Sequence, residues 1–334
     1  MPNIYDVAKR AKVSVATVSA VINKTSYVSP QLREQVETAI AALNYSPNLL
    51  ARSLAQRKTH TIGILIPDVA NPFFPEIVRG AEDEASEAGY TVILGNSDNQ
   101  VSKEELYLNL FLSKRVDGIL FVKGAGELNP SLLENLRKAE TPVVLMDREY
   151  EGLHADTVVA DDYGGALAAT EHLLDLGHRR IGVIVGITGT STTNGRTRGY
   201  VEALEKAGVS FSEELVAKGN YKIESGYTEG LRLLDQRPSA VFVTNCMMTI
   251  GFLRALEERK LRCPEDISVV SYDDFFWNDV FHPKLTCVEQ PKYQLGRRST
   301  QILLSRILGK HKRPKHEVLK NELRVRESSA AFHA

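Results

Sequence analysis

The sequence predicts an all-α N-terminal head of helix-turn-helix type joined to an α/β body of two doubly wound parallel-sheet subdomains. Three observations carry this. Residues 1–58 hold eight basic residues against three acids, a charge of +5, which leaves −6 on the remainder of a 334-residue chain whose total is −1. Apolar residues in the head recur at helical spacing. Beyond residue 60, short apolar runs alternate with longer amphipathic stretches, and this rhythm occurs twice, as parallel sheets covered on both faces require.

In the head, Ile4, Val7, Ala8 and Ala11 share one face of a first helix, and Lys12-Val13-Ser14 ends it. Ser14 offers a hydroxyl N-cap to a second helix over 15–23, with Val18, Val21 and Ile22 turned inward. Two helices joined by so short a turn form a helix-turn-helix. Ser29-Pro30 starts a third helix, with Leu32, Val36, Ala39, Ile40 and Leu43 as its buried stripe. In such motifs the second helix meets base edges in the major groove. Its outward candidates are Val15, Ala16 and Ala20, while Thr17 and Ser19 can donate to phosphate. With no Arg, Asn or Gln among the three, readout rests on thymine methyls, close approach and DNA shape.

Next comes Tyr45-Ser46-Pro47-Asn48, then Leu49-Leu50-Ala51-Arg52-Ser53-Leu54-Ala55. Pro47 suits a first helical turn, but so short a helix is marginal alone and needs a partner copy and DNA to form. Leu54 is then a candidate apolar wedge into a minor-groove base step.

In the body, strands are expected at 62–66, 90–94, 118–122, 143–146, 181–185, 240–243 and 267–271. Helices are expected at 75–88, 103–113, 163–176, 196–207, 225–234 and 247–258. Several residues fall at strand ends or in nearby connections: Asn71, Phe73, Phe74, Asp98, Asp147, Arg148, Arg196, Tyr221, Asn245, Asp273, Trp277 and Gln290. Aromatic faces with carboxylates, amides and guanidinium forks suit a neutral polyhydroxylated ligand, whose C–H faces stack and whose hydroxyls take paired hydrogen bonds.

Other classes fit less well. The apolar runs are far shorter than the roughly 20 residues of a membrane span. The N-terminus has no charged start followed by an apolar stretch, so a cytoplasmic protein is expected. Cys246, Cys263 and Cys287 are odd in number and lack CxxC spacing, which favours reduced core thiols over disulfides or metal ligands. An enzyme is disfavoured: phosphate-loop, nucleophile-elbow and HExxH patterns are missing, and the histidines lack metal-ligand spacing. No cofactor, metal or catalytic residue is expected. A transport receptor is opposed by the missing signal peptide and by the head.

Ile4-Tyr5-Asp6-Val7-Ala8, Val13-Ser14-Val15-Ala16-Thr17-Val18-Ser19, Val21-Ile22-Asn23, Tyr45-Ser46-Pro47-Asn48 and Ala51-Arg52-Ser53-Leu54 resemble the head and hinge of LacI/GalR transcription regulators. The resemblance continues through Asn71-Pro72-Phe73-Phe74, Gly177-His178-Arg179, Ser271-Tyr272-Asp273-Asp274 and Gln290-Pro291. Lys12 departs from the small or amide residue that this family often has in the turn. The resemblance implies a homodimeric, effector-controlled repressor on a pseudo-palindromic operator. It also implies DNA contacts from Ser14, Val15, Ala16, Thr17, Ser19, Ala20, Asn23, Tyr45, Asn48, Arg52, Ser53, Leu54 and Ala55.

The body is thereby similar to type I periplasmic sugar-binding proteins, with lobe crossings near Ala160, Gln290 and Glu322. The implied boundaries are a head at 1–46, a hinge helix and linker at 47–58 and a body at 59–334. Its first lobe takes about 61–160 and 291–322, its second about 161–290 and 323–334. The pocket of ribose-binding relatives resembles Asn71, Phe73, Phe74, Asp147, Arg148, Arg196, Asn245, Asp273 and Gln290 residue by residue. Thr190 stands where purine-binding relatives carry Arg, and Cys246 where many relatives carry an acid, so a sugar is expected ahead of a purine. Control by a partner protein and a nucleobase effector are the alternatives.

Overall fold

The computed structural model describes residues 2–23, 26–45, 58–280, 282–310 and 313–333. The chain separates into two units, Met1–His60 and Thr61–Ala334. In the first, α1 (Ile4–Ala11), α2 (Val15–Asn23) and α3 (Pro30–Leu43) surround Val7, Ala8, Ala11, Val18, Val36 and Ala39. Each start is capped. Asn3 accepts from the Tyr5 and Asp6 amides at 2.9 and 3.2 Å while Asp6 returns a bond to the Asn3 amide at 2.9 Å. The Ser14 hydroxyl accepts from the Thr17 amide at 3.1 Å, and Ser29 accepts from the Leu32 amide at 3.5 Å ahead of Pro30. Lys12 takes the left-handed conformation, φ 54°, that closes the turn between α1 and α2. Leu32, expected on the buried stripe, is instead exposed at the start of α3. The anticipated hinge helix, with Asn48, Arg52, Ser53, Leu54 and Ala55, lies outside the described residues.

The second unit holds two six-stranded sheets. The first joins β1 (Thr61–Ile66), β2 (Thr91–Asn96), β3 (Gly118–Phe121), β4 (Val143–Met146), β5 (Asp156–Ala160) and β11 (His316–Leu319) in the order β11-β5-β4-β3-β1-β2. The second joins β6 (Ile181–Val185), β7 (Val216–Lys218), β8 (Ala240–Val243), β9 (Ser268–Tyr272), β10 (Thr286–Glu289) and β12 (Glu322–Arg324) as β12-β10-β9-β8-β6-β7. Every ladder is parallel except β12 on β10. The chain leaves the first sheet after Ala160, returns after Glu289 and crosses again between Leu319 and Glu322. In both sheets the order reverses beside the first strand, β1 or β6, which opens a crevice at the carboxyl ends there.

Covered on both faces, the strands alternate between two cores. Ile62, Ile64 and Ile66 of β1 join Phe73, Phe74 and Ile77 on one side. Leu65 meets Leu108, Phe111 and Phe121 on the other. The helices α4 (Phe73–Glu87), α5 (Val101–Lys114), α6 (Pro130–Lys138), α7 (Asp162–Asp175), α8 (Ser191–Lys206), α9 (Ile223–Leu234), α10 (Cys246–Glu258) and α11 (Lys292–Ile307) supply the outer layers. The chain returns from the second sheet to lay α11 on α4 with backbones in contact. A Cβ at Gly296 would fall 1.9 Å from the Ile77 carbonyl oxygen, and one at Gly80 would fall 2.0 Å from that of Tyr293. Backbone cannot yield as a side-chain tip can, so Gly296→Ala is expected to lower the unfolding free energy by about 3 kcal/mol. A urea unfolding curve of the variant checks this, and an unshifted midpoint would show that the helices can separate.

Candidate functional site

On the head, the second helix presents a small-residue surface. Ala16 is exposed, whereas Thr17, Ser19 and Ala20 are partly exposed. The Ser14 and Thr17 hydroxyls lie 2.9 Å apart, so the cap that starts the helix also orients Thr17. Val15 and Tyr45, both expected to face DNA, are partly buried against the head's core, which limits what either can offer a groove. Lys9, Arg10, Lys12 and Arg33 are exposed on the same unit and give it the positive surface that a polyanion requires.

In the body, Asn71, Phe73, Phe74, Asp147, Arg148, Thr192, Arg196, Tyr221, Asn245, Asp273 and Gln290 line one cavity of about 20 Å³ between the lobes. That space holds about one water molecule, so a sugar or base can enter only when the lobes part. Its lining comes from the segments just beyond strands: Asn71 after β1, Asp147 and Arg148 after β4, Asn245 after β8, Asp273 after β9 and Gln290 after β10.

Burial makes these charges interdependent. Arg196 is 4% exposed; its Nε donates to Asp162 Oδ1 at 2.7 Å and its Nη1 to the Thr244 carbonyl at 2.7 Å, with the guanidinium 3.8 Å from the Tyr272 ring centre. Burial opposes that charge, but Asp162 together with Tyr272, Tyr221 and Asp273 outweighs it and holds Arg196 well above its ordinary value. Arg148 Nη1 donates to Asn99 Oδ1 and to the Lys123 carbonyl, both at 3.1 Å, and its Nε lies 3.6 Å from Asp147 Oδ2. Gln290 Nε2 donates to Asp273 Oδ1 at 2.6 Å, and Asn245, the N-cap of α10, reaches Asp273 Oδ2 at 3.5 Å.

Tyr221 lays its ring over Gly186 and sets its hydroxyl 2.6 Å from Thr193 Oγ1, 3.1 Å from Thr192 Oγ1 and 3.4 Å from Thr190 Oγ1. Three buried polar atoms of the lining have no hydrogen-bond partner: Asp147 Oδ1, Arg148 Nε and Gln290 Oε1. Asp147 suffers most from this. Burial, against the pull of Arg148, pushes its carboxyl up to about 7, and Asp162 and Asp273 add to the rise.

Residues 3–48 match the bacterial regulatory proteins of the lacI family, and residues 170–329 match a periplasmic binding protein-like domain. The HTH-type transcriptional repressor PurR of Pectobacterium carotovorum subsp. carotovorum is 40% identical over 316 residues, 93% of this chain and 92% of that protein. The chain belongs to the LacI family.

Solved structures of transcription regulators share its architecture. The lac repressor dimer bound to operator and the anti-inducer ONPF is 28% identical, covers 99% of both chains and has a TM-score of 0.87. The complex of the transcriptional regulator CelR with cellobiose is 34% identical, covers 98% of this chain and all of that one, and has a TM-score of 0.76. As a LacI-family member the chain is a sequence-specific DNA-binding transcription repressor under small-molecule control, with operator DNA and an effector as partners. Its relatives are transcription repressors and not enzymes. Among the described residues no group of His, Cys, Asp and Glu could hold a metal ion, and no helix is long and apolar enough to cross a membrane. Cys246, Cys263 and Cys287 are free thiols.

Ten of the twelve residues anticipated for the effector line this cavity, and two do not. Asp98 is exposed and paired with Lys103 and Asn96 instead of lining the cavity, although its neighbour Asn99 accepts from Arg148. Trp277 stacks on Phe275, ring centres 4.7 Å apart, and packs on the core that flanks α4 and α11. Thr192, which lines the cavity, and Asp162, which anchors Arg196, were not anticipated as site residues. Asp162 was legible only as one of two adjacent acids; Thr192 sits one turn before Arg196 on α8, and that spacing is the signal that could have found it.

Asp147 also yields a pH dependence. Its carboxyl ionises near its ordinary value of 3.8 when unfolded but at about 7 when folded. Its contribution to stability is therefore complete at low pH and is lost as pH rises across that window. Asp147→Asn, which cannot ionise, is expected to gain about 2.6 kcal/mol on the wild type between about pH 5 and pH 8. Thermal melts at both values check this; a difference that does not change with pH would mean that Asp147 is ionised throughout.

Proposed function

We propose that the effector is a neutral sugar or sugar derivative held between the two lobes. The observation that carries this is the set of buried atoms without partners: a donor, Arg148 Nε, and two acceptors, Asp147 Oδ1 and Gln290 Oε1. Hydroxyl groups both donate and accept, so a polyol can satisfy all three, while Phe73, Phe74 and Tyr221 supply faces for its C–H surface. Tyr221 and Thr192 bring hydroxyls to the cavity wall, backed by those of Thr190 and Thr193, which suits a sugar better than a planar base. The PurR relatives favour a second reading, a nucleobase.

In this reading residues 1–46 form the DNA-binding head, 47–58 the hinge and 59–334 the sensing and dimerisation body, in a cytoplasmic homodimer. Two heads paired by their bodies match an operator with two-fold symmetry. A ligand gripping Asp147 and Arg148 on one lobe and Arg196, Asn245 and Asp273 on the other favours one closure angle, and this differential affinity biases the heads.

A thermal-shift panel of D-ribose, D-glucose, cellobiose and hypoxanthine on the full-length protein tests this. A sugar is expected to raise the melting temperature and hypoxanthine to leave it unchanged, with the shift lost in Arg196→Ala and Asp273→Ala. A hypoxanthine response would install the nucleobase reading. No response at all would favour control by a partner protein.

The head carries a separate expectation. Replacing Ala16 and Ala20 should change the consensus selected from random DNA without altering the salt dependence of binding, since neither side chain carries charge. An unchanged consensus would move base readout off this helix.

A further inference from the structure

Behind the cleft lies a buried ion pair that contributes no atom to the cavity. Glu104 on α5 is fully buried and Lys123, two residues past β3, is 2% exposed, with Nζ 2.8 Å from Oε2. Desolvating two charges is costly, and their mutual attraction often does little more than offset it, so an apolar pair would pack this position as well. What the pair does in addition is hold backbone. Glu104 Oε1 accepts from the Gly124 amide at 2.5 Å, and Lys123 Nζ donates to the Gly124 carbonyl at 3.1 Å above the ring of Tyr150. A Cβ at Gly124 would come within 2.7 Å of Glu104 Oε1, so glycine is what permits this approach.

The peptide carbonyl between these two residues, that of Lys123, accepts from Arg148 Nη1 at 3.1 Å. Asn99 Oδ1 takes the same nitrogen at 3.1 Å. Arg148 Nε, on the other side of the guanidinium plane's fork, is left without a hydrogen-bond partner at the cavity. The guanidinium is thus held from behind by one side chain and one carbonyl, and the carbonyl is fixed because Glu104 holds the N–H of the same peptide group while Lys123 holds the carbonyl of the next.

We propose that Glu104 and Lys123 are positioning residues of the effector site, aiming Arg148 at the ligand through the Lys123 carbonyl. This rests on the reading of the cleft as the effector site. The test uses full-length Glu104→Gln, Lys123→Met and the double variant, which removes both charges together and so keeps a foldable comparison if either single variant unfolds. Two measurements are made: a crystal structure of the double variant, and calorimetric titration of D-ribose into the wild type, the double variant, Arg148→Ala and the combination of the three substitutions.

The expected structure has Arg148 detached from the residue 123 carbonyl. D-ribose binding is expected to weaken about tenfold or more in the double variant, with no further loss when the same two substitutions are added to Arg148→Ala. Arg148 keeping both hydrogen bonds in the crystal, or losses that add in the Arg148→Ala background, would overturn the proposal, since a merely structural pair weakens binding whether or not Arg148 is present. Full binding by Arg148→Ala would instead remove the reading of the cleft. A wild type indifferent to D-ribose would remove ribose as the effector, and the position of Arg148 in the crystal then decides the proposal by itself.

Discussion

Two guanidinium groups and three carboxylates buried around one cleft can coexist only if each charge is met, and the body is arranged to meet them. Asp162 is held by Arg196 at 2.7 Å, Asp273 by Gln290 at 2.6 Å, and Asp147 has Arg148 at 3.6 Å. The first two are well paired. The third keeps an oxygen without a partner, and burial, with Asp162 and Asp273 adding to it, raises its carboxyl to about 7. Backbone strain gathers at the same place: Asp147, Tyr221 and Asp273 all take left-handed conformations, with φ of 63°, 65° and 73°. Such conformations in residues other than glycine persist where the surroundings over-determine them, which is common at ligand sites.

The lobes are also tied across the cleft by a few polar contacts that flank the cavity. Lys222 Nζ of the second lobe donates to Asp68 Oδ2 of the first at 2.5 Å, and the Glu149 amide donates to the Ser191 hydroxyl at 2.9 Å. Each tie lies next to lining residues in sequence: Lys222 follows Tyr221, Glu149 follows Arg148 and Ser191 precedes Thr192. Polar ties of this kind can break and reform at modest cost, unlike the packed glycine contact of α4 with α11. The contacts that must break for the lobes to part are therefore polar ones beside the cleft.

Much of this was legible in the sequence because buried parallel strands are written as unbroken apolar runs. All seven anticipated runs became strands within a residue or two, and the six anticipated helices formed with earlier starts. The elements that were not anticipated are those without that signature. The strands β7, β11 and β12 are short and partly exposed, and β5 begins with Asp156, whose carboxylate is buried against Arg306. In α11 the apolar stripe of Leu295, Ile302 and Leu303 is interrupted by the buried small residues Gly296, Ser299 and Thr300, which blurs its signature, and Gly296 seats the helix on α4. At the site, residue type and position after a strand identified most of the lining. They could not show that Asp98 pairs with Lys103 and Asn96 while its neighbour Asn99 meets Arg148, or that Trp277 stacks on Phe275 against the core. Nor could they reveal Glu104 and Lys123, which are ordinary charged residues until the fold brings them together.

The central claim is that one ligand, gripped by both lobes, changes how the protein holds its operator. Thermodynamic linkage makes this measurable from either side, since an effector that alters operator affinity must have its own affinity altered by the same factor. The direct measurement is the affinity of the full-length protein for the sugar that stabilises it, determined free and again saturated with operator DNA. The account predicts a difference of about 5- to 150-fold between the two, matched by the change in operator affinity on adding the sugar. Equal sugar affinities in the two states would show that the cleft binds without signalling, and would contradict it.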